Sequence, residues 1–409
     1  MPQDRMGDAL RAELGKLEAE GRRKGPETVI VGVLQPAGDR GPRFLIEGEG
    51  QKPFLRMNAN AYLGLSLREE IIAAEEQGVR SFGTGPGAVR FISGTWTPHV
   101  QLEQRLASFH RREAAMVFSS AYAAMMGVLP PLITDDTAVI SDALNHSCII
   151  NAVRLARPRE RQVYPHGDLG ELEARLAAAA KSCRRAIIVT DGVFSMRGDH
   201  APLAEIVAIA RRHDAAFPEN ALVVVDDSHG IGAFGRTGRG TEERTGAAAD
   251  ILVATLGKAF GVNGGYVAAS RVVIDYLRET SPFYVYSNPI APGEAAAAVT
   301  AVAVVDSAVG RNLLQHLHAM ARRFRQGLVR LNFETIPGEH PIVPLMVRDS
   351  LRSAALVRHL RERGVLATGL SFPVVPRGDE EIRFQICADH TPADIDATLS
   401  ILQDFGAGA

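Results

Sequence analysis

Four short apolar runs punctuate the middle of the chain, and helical spacing fills the stretches between them. Ala138-Val139-Ile140, Ala186-Ile187-Ile188-Val189, Leu222-Val223-Val224-Val225 and Ile251-Leu252-Val253 are rich in β-branched residues and do not alternate with polar ones. That is the pattern of strands buried on both faces. Leu102, Leu106 and Phe109 fall at i, i+4, i+7, and Leu169, Leu172 and Leu176 mark a second helix. Strand–helix alternation from about 65 to 290 predicts an α/β fold with a mainly parallel central sheet and helices on both faces.

The flanks read differently. Residues 1 to about 25 suggest a polar amphipathic helix, with Leu10, Leu14 and Leu17 near helical spacing, an arm suited to packing on a neighbour. Short strands with Gly/Pro turns follow, from Thr28-Val29-Ile30-Val31 to Phe44-Leu45-Ile46. After Asn288-Pro289 an Ala-rich helical stretch, about 291–331, bridges to a smaller C-terminal α/β domain, about 335–409. The expected division is 1–57 for the arm and small strands, 58–290 for the large domain, and 291–409 for the bridge and C-terminal domain.

Composition narrows the class. With 409 residues, 46% hydrophobic and 22% charged, the chain matches an ordinary globular protein with one large core. Its 45 basic and 47 acidic residues form no block of like charge, so neither nucleic acid nor a membrane surface is expected as a partner. Cys148, Cys183 and Cys387 have no CxxC spacing and an odd count, so reduced buried thiols are expected, without disulfides or a metal site. The segment Met1 to Arg23 is charged and lacks an apolar core of signal-peptide length, and no long apolar run appears. A cytoplasmic enzyme is the expectation.

In open parallel sheets, reactive groups gather at strand C-terminal ends. Asp191, Asp226 and Lys258 each stand just past such an end. A lysine after one strand and Asp226-Asp227-Ser228-His229 after another is the layout of a pyridoxal 5'-phosphate (PLP) site. Lys258 would bond covalently to the cofactor aldehyde, and Asp226 would keep the pyridine nitrogen protonated. His229 would reach the ring hydroxyl. His146, in Asp142-Ala143-Leu144-Asn145-His146, would stack on the ring and serve as acid or base; it also reads as a loop histidine capping the next helix. Ser119-Ser120-Ala121-Tyr122 opens a helical stretch whose first amides suit a phosphate, although the serines also read as N-caps. Thr255 would add a hydroxyl. Gly83-Thr84-Gly85-Pro86-Gly87 lacks the Gly-Lys-Ser/Thr ending of a nucleoside-triphosphate loop and reads as a turn near substrate.

These motifs resemble those of the α-oxoamine synthases, fold-type I PLP enzymes that join an amino acid to an acyl-CoA. The likeness runs from about 40 to 405 and rests on Asn60-Ala61-Tyr62-Leu63-Gly64-Leu65, Asp142 to His146, Asp191-Gly192-Val193-Phe194-Ser195-Met196, Val225 to His229, Thr255-Leu256-Gly257-Lys258 and Pro373-Val374-Val375-Pro376. Within the family the chain is most similar to the 2-amino-3-ketobutyrate CoA ligase (glycine C-acetyltransferase) branch, with the 8-amino-7-oxononanoate synthases as near alternative. The resemblance implies that Lys258 removes the glycine α-proton and that His146 polarises the thioester carbonyl. It implies further that Ser195 bonds near the ring hydroxyl, and that Ala121, Tyr122 and Thr255 hold the phosphate. Ser287 would reach the cofactor phosphate of a partner subunit in a homodimer. Arg383, with Asn60, would clamp the amino-acid carboxylate. Val89 and Phe91 would meet the acyl group, and their apolar side chains point to a short uncharged donor. Two departures, Ala121-Tyr122 for Cys-Phe and Ala61 for Asn or Asp, leave room for another donor. The alternatives are alanine or serine as amino acid, a carrier-protein thioester, and decarboxylation of the product.

Overall fold

The computed structural model describes residues 3–20, 22–23, 26–372 and 374–407. Pro373, first residue of the Pro-Val-Val-Pro motif, lies outside them, as do the outermost residues of the N- and C-terminal assignments. Two compact units emerge: 1–59 with 320–337 and 342–409, and 60–319 with 338–341.

The smaller unit begins with the helix Asp4–Ala19, which buries no residue and leaves Leu10 and Leu14 exposed. Strands β1 (Ile30–Leu34) and β2 (Arg43–Ile46) pair antiparallel, and β3 (Leu55–Arg56) follows.

Seven strands build the larger unit: β4 (Ala114–Phe118), β5 (Thr137–Asp142), β6 (Glu160–Tyr164), β7 (Arg185–Asp191), β8 (Ala221–Asp226), β9 (Ile251–Thr255) and β10 (Gly265–Ala269). Their order in the sheet is β4-β10-β9-β8-β7-β5-β6. All run parallel except β10, which is antiparallel to both its neighbours. Every residue of β4, β5 and β10 is buried, as the unbroken apolar runs require. One face packs Met125, Val128 and Leu129 of helix Ala121–Leu132 and Ile149, Ala152 and Val153 of helix Ser147–Ala156 against Val139, Ile187, Val189 and Val224. Helices Leu169–Ala179 and Leu203–His213 cover the opposite face, as right-handed crossovers demand.

In the smaller unit β11 (Glu334–Thr335), β12 (Ile342–Met346), β14 (Thr368–Leu370) and β15 (Glu381–Gln385) form an antiparallel sheet of order β11-β12-β15-β14, while β13 (Val365–Leu366) pairs parallel with β3.

The contact pattern moves the boundary expected at 290/291 to 319/320. Helix Pro292–Val305 buries Ala295, Ala298, Ala301 and Val302 and packs on helices Glu69–Phe82 and Thr97–His110. Gly78 and Gly293 allow the close crossing, since a Cβ on Gly78 would stand 2.9 Å from the Gly293 Cα. The expected single bridge over 291–331 is two helices, Pro292–Val305 and Ala308–Arg330, that meet at 75°. The N-terminal segment also forms no domain of its own, because β3 takes its partner from the C-terminal part.

Candidate active site

Because β4, β5, β7, β8 and β9 all point one way, Phe118, Asp142, Asp191, Asp226 and Thr255 end at one edge of the sheet. The antiparallel β10 starts there, with Gly265 opposite both Thr255 and Phe118. The loops leaving this edge enclose a cavity of about 250 Å³, walled by Ser120, Ala121, Tyr122, His146, Cys148, Asp191, Val193, Ser195, Asp226, Ser228, His229, Thr255 and Lys258.

Lys258 sits half-buried in the turn after β9. Thr255 shapes that turn: its hydroxyl donates to the Gly264 carbonyl (3.2 Å) and accepts from the Gly257 amide (3.0 Å). Gly261, at φ +71°, closes the turn in the left-handed region, where a side chain would also strike the Ser66 backbone.

Asp226 is buried, accepting from the Ser228 amide (3.1 Å) and from the Cys148 thiol (3.4 Å). Directly across the ladder stands Asp191, also buried. Burial, and next the charge of Asp226, hold the Asp191 carboxyl well above its ordinary range. It accepts from the His146 amide (3.1 Å) while Asn145 Oδ1 accepts from its own amide (2.8 Å). Asp227 turns the other way. Its carboxyl accepts from the Thr241 amide (2.6 Å) and hydroxyl (2.7 Å), and burial pushes it up to about 8.

Both readings of His146 hold in the geometry: it lines the cavity and it is also the N-cap of helix Ser147–Ala156. Its Nδ1 accepts from the Cys148 amide (3.2 Å), so the hydrogen of the neutral ring is assigned to Nε2. Desolvation, opposed by Asp226 and assisted by Lys258, lowers its pKa and favours that neutral form. His229 shares a 2.6 Å hydrogen bond between Nδ1 and the Tyr62 hydroxyl, and its carbonyl accepts from His340 Nε2 (2.9 Å).

Ser120 likewise caps a helix, accepting from the Ala123 amide (3.0 Å) at the start of Ala121–Leu132. The next amides, Ala121 and Tyr122, are the ones a helix leaves for an anion. Gly265 lets the helix start approach the sheet, because a Cβ there would collide with the Ala121 nitrogen.

These residues fit PLP. Ser228 Oγ is buried in the cavity wall and has no hydrogen-bond partner among the described residues, a polar atom suited to a ligand. The wall also offers an amine, a carboxyl, two imidazoles and a helix start, the groups that an aldehyde, a pyridine nitrogen, a ring hydroxyl and a phosphate need.

Of the residues expected at the site, Lys258, Asp226, His229, His146, Ser195, Ala121, Tyr122 and Thr255 share this cavity. Among the described residues, Asn60, Val89, Phe91 and Ser287 stand outside its lining, and Arg383 belongs to β15 of the other unit. Cys148 and Ser228 line it without having been singled out. Their signal was proximity alone: each lies two residues past a site residue. Asp191 was noted as a strand end, and its register opposite Asp226 gives it a place in the wall.

A buttress stands behind the cavity. His166 Nδ1 lies 3.0 Å from Asp142 Oδ1, and Nε2 lies 3.3 Å from Asp199 Oδ2, which also accepts from Arg197 Nε (2.9 Å). The hydrogen bonds to Asp142 and then Asp199 raise the His166 pKa from 6.5 to about 9. The folded chain therefore holds this proton more tightly than the unfolded one. The stabilisation is complete below pH 6.5 and is lost as pH rises through 9. Urea unfolding should show about 2–3 kcal/mol less stability from this group at pH 9.5 than at pH 6.5. His166→Ala should remove that share of the slope.

The class I and II aminotransferase family model matches residues 52–402. The 2-amino-3-ketobutyrate coenzyme A ligase of Escherichia coli is 40% identical over 85% of this chain and 86% of its own length. The 8-amino-7-oxononanoate synthase of Thermosipho melanesiensis is 39% identical over 90% and 91%. Among solved structures, serine palmitoyltransferase from S. paucimobilis with a bound PLP–myriocin aldimine superposes with a TM-score of 0.87 at 29% identity, over 98% of this chain and 97% of that one. The Sphingomonas wittichii enzyme of the same name gives 0.88 at 28%, over 99% and 98%. With this sheet, this cavity and these relatives, the chain belongs to the α-oxoamine synthases, PLP-dependent transferases of fold-type I.

Proposed function

We propose that the chain condenses glycine with a short acyl-CoA, acetyl-CoA foremost, to give an α-amino-β-keto acid and free CoA. The observation that carries this reading is the convergence of Lys258, Asp226, His146 and His229 on one cavity of about 250 Å³. The apolar Val89 and Phe91, for their part, favour an uncharged acyl group.

PLP supplies an electron sink that makes the amino acid Cα–H acidic. Lys258 Nζ would hold the cofactor and would take the proton from the amino acid Cα. Asp226 holds a proton on the pyridine nitrogen, and Cys148 and the Ser228 amide keep its carboxyl in place. His229, oriented by Tyr62, meets the ring oxygen together with Ser195. Neutral His146 offers Nε2–H to the thioester carbonyl as the Cα–C bond forms and the C–S bond breaks. Ala121, Tyr122 and Thr255 hold the phosphate.

The working form is a homodimer in which Ser287 reaches the partner's cofactor phosphate. Exposed Tyr286 (78%) and Phe91 (68%) support a covered face there. The second reading is a synthase of the 8-amino-7-oxononanoate type, using alanine or serine, a longer or carrier-bound acyl group, and decarboxylation. The Thermosipho relative and the Ala121-Tyr122 departure favour it. Thiol release by the PLP-loaded protein should be measured with glycine, alanine and serine against acetyl-CoA and longer donors. The proposal expects release with glycine and acetyl-CoA together and none with either alone. Release confined to alanine or serine, or to longer donors, would move the assignment to the second reading.

A further inference from the structure

His166 touches neither the cavity nor anything expected to react, yet it holds both sides of the site. Its Nδ1 meets Asp142, whose Oδ1 accepts from the Leu144 amide (2.8 Å) and whose backbone carbonyl accepts from the Asn145 amide (3.3 Å). That is the loop leading directly to His146. Its Nε2 meets Asp199, whose backbone carbonyl accepts from the Phe194 amide (2.9 Å). The Phe194 carbonyl in turn accepts from the Gly198 amide (2.9 Å), and Gly198 sits at φ +72°. This closes a tight turn that carries Ser195 at its tip. Phe194 packs edge-on to the imidazole, with ring centroids 4.3 Å apart.

We propose that His166 is a positioning residue of this active site, tying the His146 loop to the Ser195 turn through its two ring nitrogens. Carboxylates only accept, so both nitrogens must carry hydrogen, and the tie exists only as imidazolium. The charged groups facing it are Asp142 and Asp199, with Arg197 acting through Asp199. The raised pKa of His166 agrees with this arrangement. His166, Asp142 and Asp199 lie 24 and 33 residues apart in sequence, so the tie links separate loops and is not a local turn contact. The effect on catalysis rests on the active-site reading above; the tie itself does not.

The test uses His166→Ala and Asp199→Ala. Asp199→Ala removes the acceptor at one end while leaving buried Asp142 paired, so it serves if His166→Ala folds poorly. Trypsin cleavage after Arg197 reports on the turn with no cofactor or substrate present. Both variants should be cut there about tenfold faster than the wild type. With PLP loaded, each should lose about tenfold in kcat/KM on whichever substrate pair the wild type turns over, the scale on which misplaced site groups act. The double variant should be no worse than the worse single one. The wild type should show an alkaline limb near pH 9 that is absent in His166→Ala. Wild-type cleavage rates in both variants would overturn the tie, whatever the substrates prove to be. Faster cleavage with unchanged kcat/KM and pH profile would overturn the positioning role.

Discussion

Lys258→Ala should abolish condensation and leave the protein folded. The side chain is half-buried at a turn whose shape depends on Thr255, Gly261 and Gly264, so its loss removes little packing. On the proposed function two roles go together: the covalent hold on the cofactor and the base for the Cα proton. Proton transfer by a placed side chain is worth about 10²–10⁴-fold. Losing the covalent hold as well puts the expected fall in kcat/KM at about 10⁴ or more. Steady-state kinetics and visible absorbance would check this: activity at background, and no lysine-linked cofactor band. Activity within tenfold of the wild type would remove Lys258 from the chemistry.

Asp226→Asn should cost about 10²–10³-fold in kcat, the scale for losing one placed electrostatic partner. The substitution preserves volume: its amide oxygen can still accept from the Ser228 amide, while its NH2 faces the Cys148 sulfur and can donate to it, so the fold should hold. What disappears is the negative charge that, on the proposed function, keeps a proton on the pyridine nitrogen. KM for the amino acid should change far less than kcat. Melting temperature and kcat, measured side by side, separate this from simple destabilisation: a lower melting temperature with kcat intact would contradict the role. Asp191 is not expected to substitute, since burial holds its carboxyl well above the ordinary range.

Much of the fold was readable because the buried parallel strands β5, β7, β8 and β9 leave unbroken apolar runs, and a candidate site residue stands one to six residues beyond each. Lys258, Asp226 and His146, which share the cavity, were picked out that way. Strands β6 and β10 were harder. Glu160–Tyr164 alternates at the sheet edge, and Gly265-Tyr266-Val267-Ala268-Ala269 has little β-branched character. Side-chain register is also invisible in sequence, so the pairing of Asp191 with Asp226 came only with the ladder. The same holds for His166, whose partners come from other loops. The difference between the boundary read at 290 and the contact boundary at 319/320 has a comparable cause. An Ala-rich helix reads as a linker until its small side chains are seen packed against two other helices.

The most direct measurement is the site of cofactor attachment. Borohydride reduction of the PLP-loaded protein, followed by peptide mapping, fixes the linkage where it forms. The account predicts the pyridoxyl group on Lys258 alone. Its appearance on Lys16, Lys24, Lys52 or Lys181 instead, or on no lysine, would contradict the account.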